Sequence, residues 1–369
     1  MRHSREFLRQ IGGEFNLPGV FQCAEPYGTG HINDTYYARW LVNQTPREYI
    51  HQRINHFVFK DPARLMDNIG RVTAHLQGKI ARRPGAQPER EALTVVPARD
   101  GRLFFQDDRG DFWRTYIFIT KARTYDICQD ERLAREAARA FGQFQADLSD
   151  WNGTRLHETI PWFHHAPRRI EALEDAIARD PHNRAAGARP EIDFCLKHKP
   201  MTGLLTDLIE RGSMPERITH NDTKINNVMI DNDSGRGICV IDLDTVMAGC
   251  VLYDFGDMVR SITRTCAEDE PDPDRVGMNL RMFEALVSGY LASAGAFLIP
   301  VEIEHLAFSG QLITLIIGIR FLTDYLQGDV YFKTHRPGQN LDRARVQFEM
   351  VEHMENSFDQ MRRIVGKYC

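Results

Sequence analysis

The most restrictive feature of the sequence is a polar segment, His220–Asn227, placed directly before a predicted β-hairpin. Apolar and β-branched residues over 227–243 predict two short strands with a polar turn between them. Asp242 lies at the end of the second strand. Because the strands of a hairpin run antiparallel, Asn227 and Asp242 are expected at the same end of it, with Asp222 on the loop beside them.

Phosphoryl transfer is the chemistry that these side chains predict, because that reaction depends on positioning and charge neutralisation. Asp222 is expected to accept the proton of an attacking hydroxyl, and Lys224 to offset charge on the transferred phosphate. Asn227 and Asp242 offer the amide and carboxylate oxygens that Mg²⁺ prefers. The alternative, an ordinary polar loop beside a hairpin, would not require these residues to occur together.

A glycine-rich segment near the N-terminus gives a second, weaker indication of phosphate binding. Gly28, Thr29 and Gly30 lie between two predicted strands, where glycine lets backbone N–H groups approach phosphate oxygens. A plain hairpin turn is the alternative for a lone Gly-x-Gly. The phosphate-binding interpretation is favoured because the same chain carries the His220–Asn227 segment.

The triplet Asp254-Phe255-Gly256 matches the sequence that binds Mg²⁺ in protein kinases. It lies well beyond the predicted hairpin, so no second strand would deliver it to the metal. We therefore interpret Asp254 and Asp257 as polar anchors, helix N-caps or loop contacts, and expect Asp242 to bind the metal.

The secondary-structure pattern changes at about residue 120, which predicts two lobes in the chain of 369 residues. Residues 1–119 contain short strand candidates and one helix, so a nucleotide-binding lobe with an antiparallel sheet is expected. Residues 120–369 carry helical periodicity, including long helices over 301–326 and 341–364, and predict a catalytic and substrate-binding lobe. The expected fold class is α+β, with a small β-rich lobe and a larger, mainly helical lobe.

The composition of the chain indicates which kinds of binding partner and which cellular compartment to expect. The formal net charge of -5 and the 42% of hydrophobic residues give no reason to expect nucleic acid or a membrane as a partner. Seven cysteines without metal-ligand spacing favour free thiols in a reducing compartment. No apolar signal segment is seen at the N-terminus, and the longest apolar run is too short to span a bilayer. A cytoplasmic, soluble protein is expected, and a monomer is compatible with the sequence.

These motifs together resemble the aminoglycoside phosphotransferase and choline kinase superfamily, relatives of protein kinases that act on small molecules. Within it, the sequence is most similar to bacterial N-acetylhexosamine 1-kinases. The resemblance extends over nearly the whole chain and implies a two-lobed protein-kinase-like fold with ATP and Mg²⁺ as cofactors. The segments that carry it are 25–33, 219–224, 240–245, 252–257 and 320–326.

The resemblance also implies roles for individual residues. Asp222 would be the catalytic base, with Asn227 and Asp242 as the ligands of Mg²⁺. The stretch containing Ile117 and Ile119 would end in the hinge that hydrogen-bonds adenine. The sugar pocket would be lined by His31, Asn33, Arg320 and Tyr325.

Some of these roles have structural alternatives. His31 could equally be an ordinary loop residue, and Arg320, standing in an apolar helix, could pair with Asp324 one turn later. The third strand also departs from protein kinases, because it lacks the lysine that grips the α- and β-phosphates. Gln52 or Arg53 is expected to take over that task.

The expected reaction transfers the γ-phosphoryl group of ATP to the anomeric hydroxyl of an N-acetylhexosamine, GlcNAc or GalNAc, giving the sugar 1-phosphate. One alternative is a kinase of another small alcohol, such as choline, homoserine or an aminoglycoside. Aminoglycosides are polycations and would require an acidic pocket. The other alternative is a nucleotide-binding regulatory protein without turnover, although such proteins have usually lost one of Asp222, Asn227 and Asp242.

Overall fold

The computed structural model describes residues 3–28 and 32–369, and the chain divides into two compact units. The smaller unit consists of Met1–Arg123, Asp150–Pro161 and Met229–Met247. The larger unit consists of Thr124–Ser149, Trp162–Val228 and Ala248–Cys369. The smaller unit thus takes in two later segments of the chain, and the lobe boundary at residue 119 stays a prediction.

Antiparallel strands form the centre of the smaller unit. The strands of the described residues are β1 (Val20–Pro26), β2 (Asp34–Val42), β3 (Thr45–Ile54), β4 (Val95–Val96), β5 (Phe105–Gln106), β6 (Phe112–Ile117), β7 (Ala122–Arg123), β8 (Arg217–Thr219), β9 (Val228–Asp231), β10 (Gly237–Val240) and β11 (Met247–Gly249). Strands β1 to β6 form one sheet in the order β1-β2-β3-β6-β4, with β5 also paired to β6. A second sheet has the order β10-β9-β7, and β8 pairs with β11.

Helices make up most of the larger unit. The α-helices of the described residues are α1 (Arg5–Gly13), α2 (Pro62–Ile80), α3 (Pro88–Glu91), α4 (Glu131–Leu148), α5 (Ala166–Arg179), α6 (Arg189–His198), α7 (Leu204–Glu210), α8 (Val251–Ile262), α9 (Leu280–Ala294), α10 (Pro300–Glu304), α11 (Leu306–Leu326), α12 (Gln339–Asn356) and α13 (Phe358–Gly366). Helices α1 to α3 belong to the smaller unit and α4 to α13 to the larger one.

Apolar side chains of α1 and the sheet form a core within the smaller unit. Its buried members are Leu8, Ile11, Phe15, Tyr36, Trp40, Tyr49, Val96, Ala98 and Trp113. Alternation along the strands directs one row of side chains to this core and the other row to the opposite face. On β3 and β6, Gln52 and Arg114 are cross-strand partners, so their side chains share one face of the sheet.

Helix α11 is the core helix of the larger unit. It is long and apolar enough to pass for a membrane span, yet 83% of its most apolar window is buried inside the protein. It packs against α5, α8 and α12, and shares a buried apolar cluster with residues of α5, α6 and α12. Its composition therefore reflects burial on all sides within the larger unit.

The secondary structure agrees with the sequence-based expectation in most places. The predicted strands and the predicted hairpin correspond to β1–β6 and to β9 with β10. The two long helices predicted over 301–326 and 341–364 are each divided, because the backbone leaves the helical conformation at His305 and at Ser357. Helix α8 was not expected and contains the Asp254-Phe255-Gly256 triplet.

Close packing of α4 against α9 depends on glycine. A Cβ atom at Gly289 of α9 would lie 2.1 Å from the backbone oxygen of Arg135 on α4. A Cβ atom at Gly142 of α4 would lie 2.9 Å from the backbone oxygen of Tyr290. Backbone atoms move less readily than side chains, so neither position has room for alanine.

We expect Gly289→Ala to lower the free energy of unfolding by about 2–3 kcal/mol, because the added methyl group overpacks the α4–α9 contact. Gly78→Ala is the matched control. Gly78 is an exposed position in α2 with open space around it, and alanine there should stabilise the protein by up to about 1 kcal/mol. Urea denaturation measures both changes, and equal effects of the two substitutions would contradict the packing argument.

Candidate active site

The His220–Asn227 segment begins immediately after β8, and Asp254 holds its backbone in place. Oδ2 of Asp254 accepts the N–H of His220 at 2.9 Å, and Oδ1 accepts the N–H of Asn221 at 2.6 Å. The hydroxyl of Thr223 donates to the backbone oxygen of Asp254 at 2.5 Å. Asn221 has a φ of 67°, which is uncommon for a residue other than glycine. The hydrogen bonds to Asp254 can hold Asn221 in this conformation.

Asp254 is fully buried in the first turn of α8 and is held by Gln145, which is itself held by Tyr290. Gln145 on α4 donates from Nε2 to Oδ2 of Asp254 at 2.7 Å, and the hydroxyl of Tyr290 on α9 donates to Oε1 of Gln145 at 2.5 Å. Burial raises the pKa of Asp254, against the opposing effect of its hydrogen-bond donors. The triplet that begins at Asp254 therefore anchors the loop from within a helix rather than from a loop or an N-cap.

Asp222 lies next to a cation and an amide within the larger unit. Nζ of Lys224 is 2.7 Å from Oδ1 of Asp222, and the side chain of Asp222 is 29% exposed. The Nδ2 atom of Asn227 donates to the backbone oxygen of Asp222 at 2.8 Å and to its Oδ2 at 3.1 Å. The local spacing predicted from the sequence thus brings Asp222, Lys224 and Asn227 into direct contact.

The charges around Asp222 set its protonation state. Partial burial acts to raise the pKa of Asp222, but Lys224, with His220 and Arg260 beyond it, outweighs burial and brings it below its ordinary value. Asp222 in turn raises the pKa of Lys224. At neutral pH the pair is therefore a carboxylate and an ammonium.

Arg260 contributes a buried cation from α8. Its guanidinium pairs with Asp257 at 2.8 Å and with Glu268 at 3.1 Å, and the side chains of Arg260 and Asp257 are each 3% exposed. Asp257, the second anchor proposed from the sequence, thus has an arginine as its partner. This ion pair holds the positive charge of Arg260 in place, and that charge helps to lower the pKa of Asp222.

Arg320 has aromatic neighbours. Its guanidinium lies 5.0 Å from the ring centroid of Phe163, 5.6 Å from Tyr331 and 5.4 Å from Phe332, and Nη2 donates to the hydroxyl of Tyr331 at 3.4 Å. Burial lowers the pKa of Arg320, although the guanidinium stays charged at neutral pH. The contact of Arg320 with a substrate stays a prediction.

Asp324, the alternative partner proposed for Arg320, forms hydrogen bonds with other groups. Its carboxylate accepts the backbone N–H groups of Val330, Tyr331 and Phe332 at 2.8–2.9 Å and the side-chain amide of Asn340 at 2.9 Å. Asp324 therefore shapes the loop that carries Tyr331, and its contacts among the described residues are with this loop and Asn340. Tyr331 is a contact that the sequence did not identify.

The last predicted sugar residue of α11, Tyr325, lies against Arg184. The guanidinium of Arg184 is 4.7 Å from the ring centroid, and its Nη1 donates to the backbone oxygen of Tyr325 at 2.7 Å. The ring also packs against the apolar cluster around α11. These contacts give Tyr325 a packing function, and its contact with a substrate stays a prediction.

The predicted nucleotide residues belong to the smaller unit. Gly28 has a φ of 76° and open space around its Cα atom, so glycine suits this backbone. Thr29, Gly30 and His31 lie outside the described residues. Asn33 donates from Nδ2 to Oδ2 of Asp244 at 2.7 Å, and its Oδ1 accepts the N–H of Asn55 at 3.0 Å.

The remaining nucleotide candidates lie on the sheet. Arg53 pairs with Asp34 at 2.5 Å and with Asp111 at 3.0 Å, and strand alternation places it on the face opposite Gln52. The N–H of Ile117 donates to the backbone oxygen of Thr94 at 3.0 Å, while Ile119 is buried. Their roles in binding a nucleotide stay predictions.

Asp242 precedes a tight turn in the smaller unit, and a buried ion pair follows it. Asp242 has a φ of 59°, and the turn covers Leu243–Thr245. Asp244, two residues later, pairs with Arg114 on β6, and both side chains are buried. Arg114 was missed from the sequence, although a charged residue among the aromatic and β-branched residues of a strand signals a buried partner.

Comparison with known proteins identifies the family of the chain. The model of the phosphotransferase enzyme family, APH, matches residues 24–285. The fold is similar to that of a choline kinase from Cryptosporidium parvum, with a TM-score of 0.59, 15% identity and 96% of each chain covered. It is also similar to an aminoglycoside phosphotransferase from Alicyclobacillus acidocaldarius, with a TM-score of 0.58, 13% identity, and 97% of this chain and 96% of that chain covered.

A third similar structure is a spectinomycin phosphotransferase in complex with ADP and spectinomycin, with a TM-score of 0.53, 13% identity, and 100% of this chain and 99% of that chain covered. These similarities show the fold. Since the family match covers more than half of the chain, the chain belongs to the phosphotransferase enzyme family. The predicted aminoglycoside phosphotransferase family and the kinase-like α+β fold are confirmed, while the N-acetylhexosamine acceptor stays a prediction.

We expect Asp254→Asn to lower the free energy of unfolding by about 2–3 kcal/mol. The NH₂ group of the new asparagine would face at least one buried N–H donor, because both oxygens of Asp254 accept hydrogen bonds. Asp193→Asn is the control. Asp193 pairs with Arg189 on the surface, where the two side chains are 54% and 70% exposed, and its loss should cost less than about 1 kcal/mol. Urea denaturation gives both values, and a similar small loss in both variants would show that Asp254 does not anchor the loop.

Proposed function

We propose that this chain is an ATP-dependent kinase of a small molecule, with Asp222 as the group that accepts the proton of the acceptor hydroxyl. The observation that carries the proposal is the contact of Asp222 with Lys224 and Asn227 on an anchored loop. A carboxylate with a lowered pKa is ionised at neutral pH, as a general base must be. Family membership, and ADP in the similar spectinomycin phosphotransferase, support a nucleotide as the phosphoryl donor.

Asn227 and Asp242 are the proposed ligands of Mg²⁺. The amide nitrogen of Asn227 is committed to Asp222, so its oxygen is the end that could bind a cation. Asp242 supplies a carboxylate at the start of a tight turn. Amide and carboxylate oxygens suit Mg²⁺, which would neutralise charge on the transferred phosphoryl group when bound.

For the nucleotide, we propose the glycine-rich segment Gly28–Gly30 as the phosphate contact and the stretch 117–119 as the adenine contact. Of the two side chains expected to replace the strand lysine, Gln52 is favoured. The guanidinium of Arg53 is already neutralised by two carboxylates on the other face of the sheet. Such a neutralised cation adds little to the binding of a phosphate.

For the acceptor, we propose the anomeric hydroxyl of an N-acetylhexosamine, giving the sugar 1-phosphate. The charges that act on Asp222 come from Lys224, Arg260 and Arg320. Lys224 and Arg260 are paired with carboxylates, whereas the contacts described for Arg320 are with aromatic residues, so its positive charge near Asp222 would oppose a polycationic aminoglycoside. Arg320 is proposed to donate to sugar hydroxyls, and His31, Asn33 and Tyr325 are the further residues proposed for the sugar pocket.

The proposal predicts that GlcNAc or GalNAc, with ATP and Mg²⁺, releases ADP and yields a sugar 1-phosphate. A coupled assay for ADP measures turnover, and phosphorus NMR identifies the phosphorylated position. We expect Asp222→Asn to lower kcat by about a hundredfold or more, because the general base is lost. Asp193→Asn should keep full turnover.

The outcomes separate the alternatives. Turnover with choline, homoserine or an aminoglycoside, and none with a hexosamine, would refute the proposed acceptor and leave the kinase intact. ADP binding without turnover for any acceptor would favour the regulatory protein. If Asp222→Asn keeps kcat within a few fold of the wild type, Asp222 is not the base.

Lys224 is expected to set the acid limit of activity. Asp222 works only when ionised, and Lys224 lowers its pKa, so Lys224→Met should raise that pKa and move the acid limb of kcat/KM to higher pH. Lys199→Met is the control, because Lys199 pairs with Glu174 at 2.5 Å on the surface. The measurement is a pH profile of kcat/KM for all three proteins, and an unmoved acid limb in Lys224→Met would contradict this role.

A further inference from the structure

The smaller unit contains a buried ion pair, Arg114–Asp244, that the proposed chemistry does not use. The two side chains are only 1% and 3% exposed, and Nη1 of Arg114 donates to Oδ1 of Asp244. Burial acts against the charge of Arg114, but Asp244 outweighs it and the pKa of Arg114 is raised. The guanidinium of Arg114 is therefore charged, and neither side chain is exposed enough to reach a ligand by itself.

The ion pair joins three elements of the smaller unit. Asp244 lies in the turn that follows Asp242, and its Oδ2 accepts the amide of Asn33 at 2.7 Å, close after the glycine-rich segment. Arg114 donates from Nε to Oε1 of Gln52 on β3 at 3.0 Å. The pair thus links the turn that follows the proposed metal ligand, Asn33 and the strand in which protein kinases carry a lysine.

Gln52 is fixed from both sides. Its Oε1 accepts from Arg114, and its Nε2 donates to the hydroxyl of Thr35 on β2 at 2.9 Å. A glutamine side chain ordinarily rotates among several rotamers, and two hydrogen bonds hold this one in a single position. Arg114, the cross-strand partner of Gln52 on β6, is therefore the cation that hydrogen-bonds to this side chain.

Stability alone does not account for the pair. A buried ion pair is often no more stabilising than apolar side chains of similar size, because both charges lose their hydration. The pair instead holds Asp244 in place within the turn that Asp242 enters with an uncommon φ of 59°.

We propose that Arg114 and Asp244 are positioning residues for the binding of a nucleotide with its divalent cation. They act by fixing the turn that follows Asp242 and the side chains of Asn33 and Gln52. This inference rests on the proposed function, because it assigns the smaller unit's ion pair to the binding of that nucleotide. Neither residue is assigned a contact with the nucleotide.

The test compares ADP binding with and without Mg²⁺, by calorimetry and without any acceptor. The double variant Arg114→Met/Asp244→Leu removes both charges and keeps apolar volume. Arg217→Met/Glu302→Gln is the matched control, because it removes a buried ion pair of 2.6 Å in the larger unit, where the side chains are 17% and 0% exposed. Thermal unfolding of each variant reports whether it is folded.

We expect the Arg114/Asp244 double variant to melt within about 5 °C of the wild type, since paired charges can be replaced by apolar groups at little cost. Its affinity for ADP without Mg²⁺ should stay within about threefold, while its affinity for ADP with Mg²⁺ falls about tenfold or more, through loss of the ordered carboxylate and turn. The control variant should keep both affinities. A folded double variant that binds ADP with Mg²⁺ as the wild type does would overturn the inference.

A second variant covers the case in which the double variant does not fold. Arg114→Lys keeps the buried charge pair, but one ammonium lacks the planar fork that reaches Asp244 and Gln52 together. We expect it to be folded and to lose about threefold to tenfold in affinity for ADP with Mg²⁺, in proportion to the lost hydrogen bond. Unchanged affinity would overturn the inference. A wild type that binds no ADP at all would instead overturn the proposed function.

Discussion

The backbone hydrogen bonds from the His220–Asn227 segment to Asp254 are the interaction on which the candidate site depends. A buried carboxylate is unfavourable unless donors surround it, and the N–H groups of His220 and Asn221 together with Gln145 supply those donors. The loop and the helix α8 therefore stabilise each other. Because α8 packs between α9 and α11, the position of Asp222 depends on the core of the larger unit.

This dependence explains why the Asp254-Phe255-Gly256 triplet was hard to interpret from sequence. The same three residues can bind a metal in one protein and pack a helix in another. In α8, Gly256 allows close packing, since a Cβ atom there would lie 2.3 Å from the backbone oxygen of Ser309 on α11. Short-range patterns predicted the strands and most helices, but only the tertiary contact with α11 shows that this glycine serves a helix.

Some contacts of the candidate site could likewise be predicted from the local sequence, whereas others join residues far apart in the chain. Asp222, Lys224 and Asn227 could be predicted, because their contacts arise from spacing within one loop. The pairing of Arg114 with Asp244 joins residues far apart in the chain, and Arg114 was therefore missed from the sequence. The commitment of Asp324 to a later loop, which leaves Arg320 to aromatic neighbours, was likewise beyond any local pattern.

Both units combine a carboxylate proposed for chemistry with a second carboxylate neutralised by a buried arginine. In the larger unit, Asp257 pairs with Arg260 while Asp222 stays ionised beside Lys224. In the smaller unit, Asp244 pairs with Arg114 two residues after Asp242. Breaking such a buried pair would leave an uncompensated charge, so each pair keeps its arginine and carboxylate in one arrangement. The fixed donors of the guanidinium thereby hold the structure next to the carboxylate proposed for chemistry.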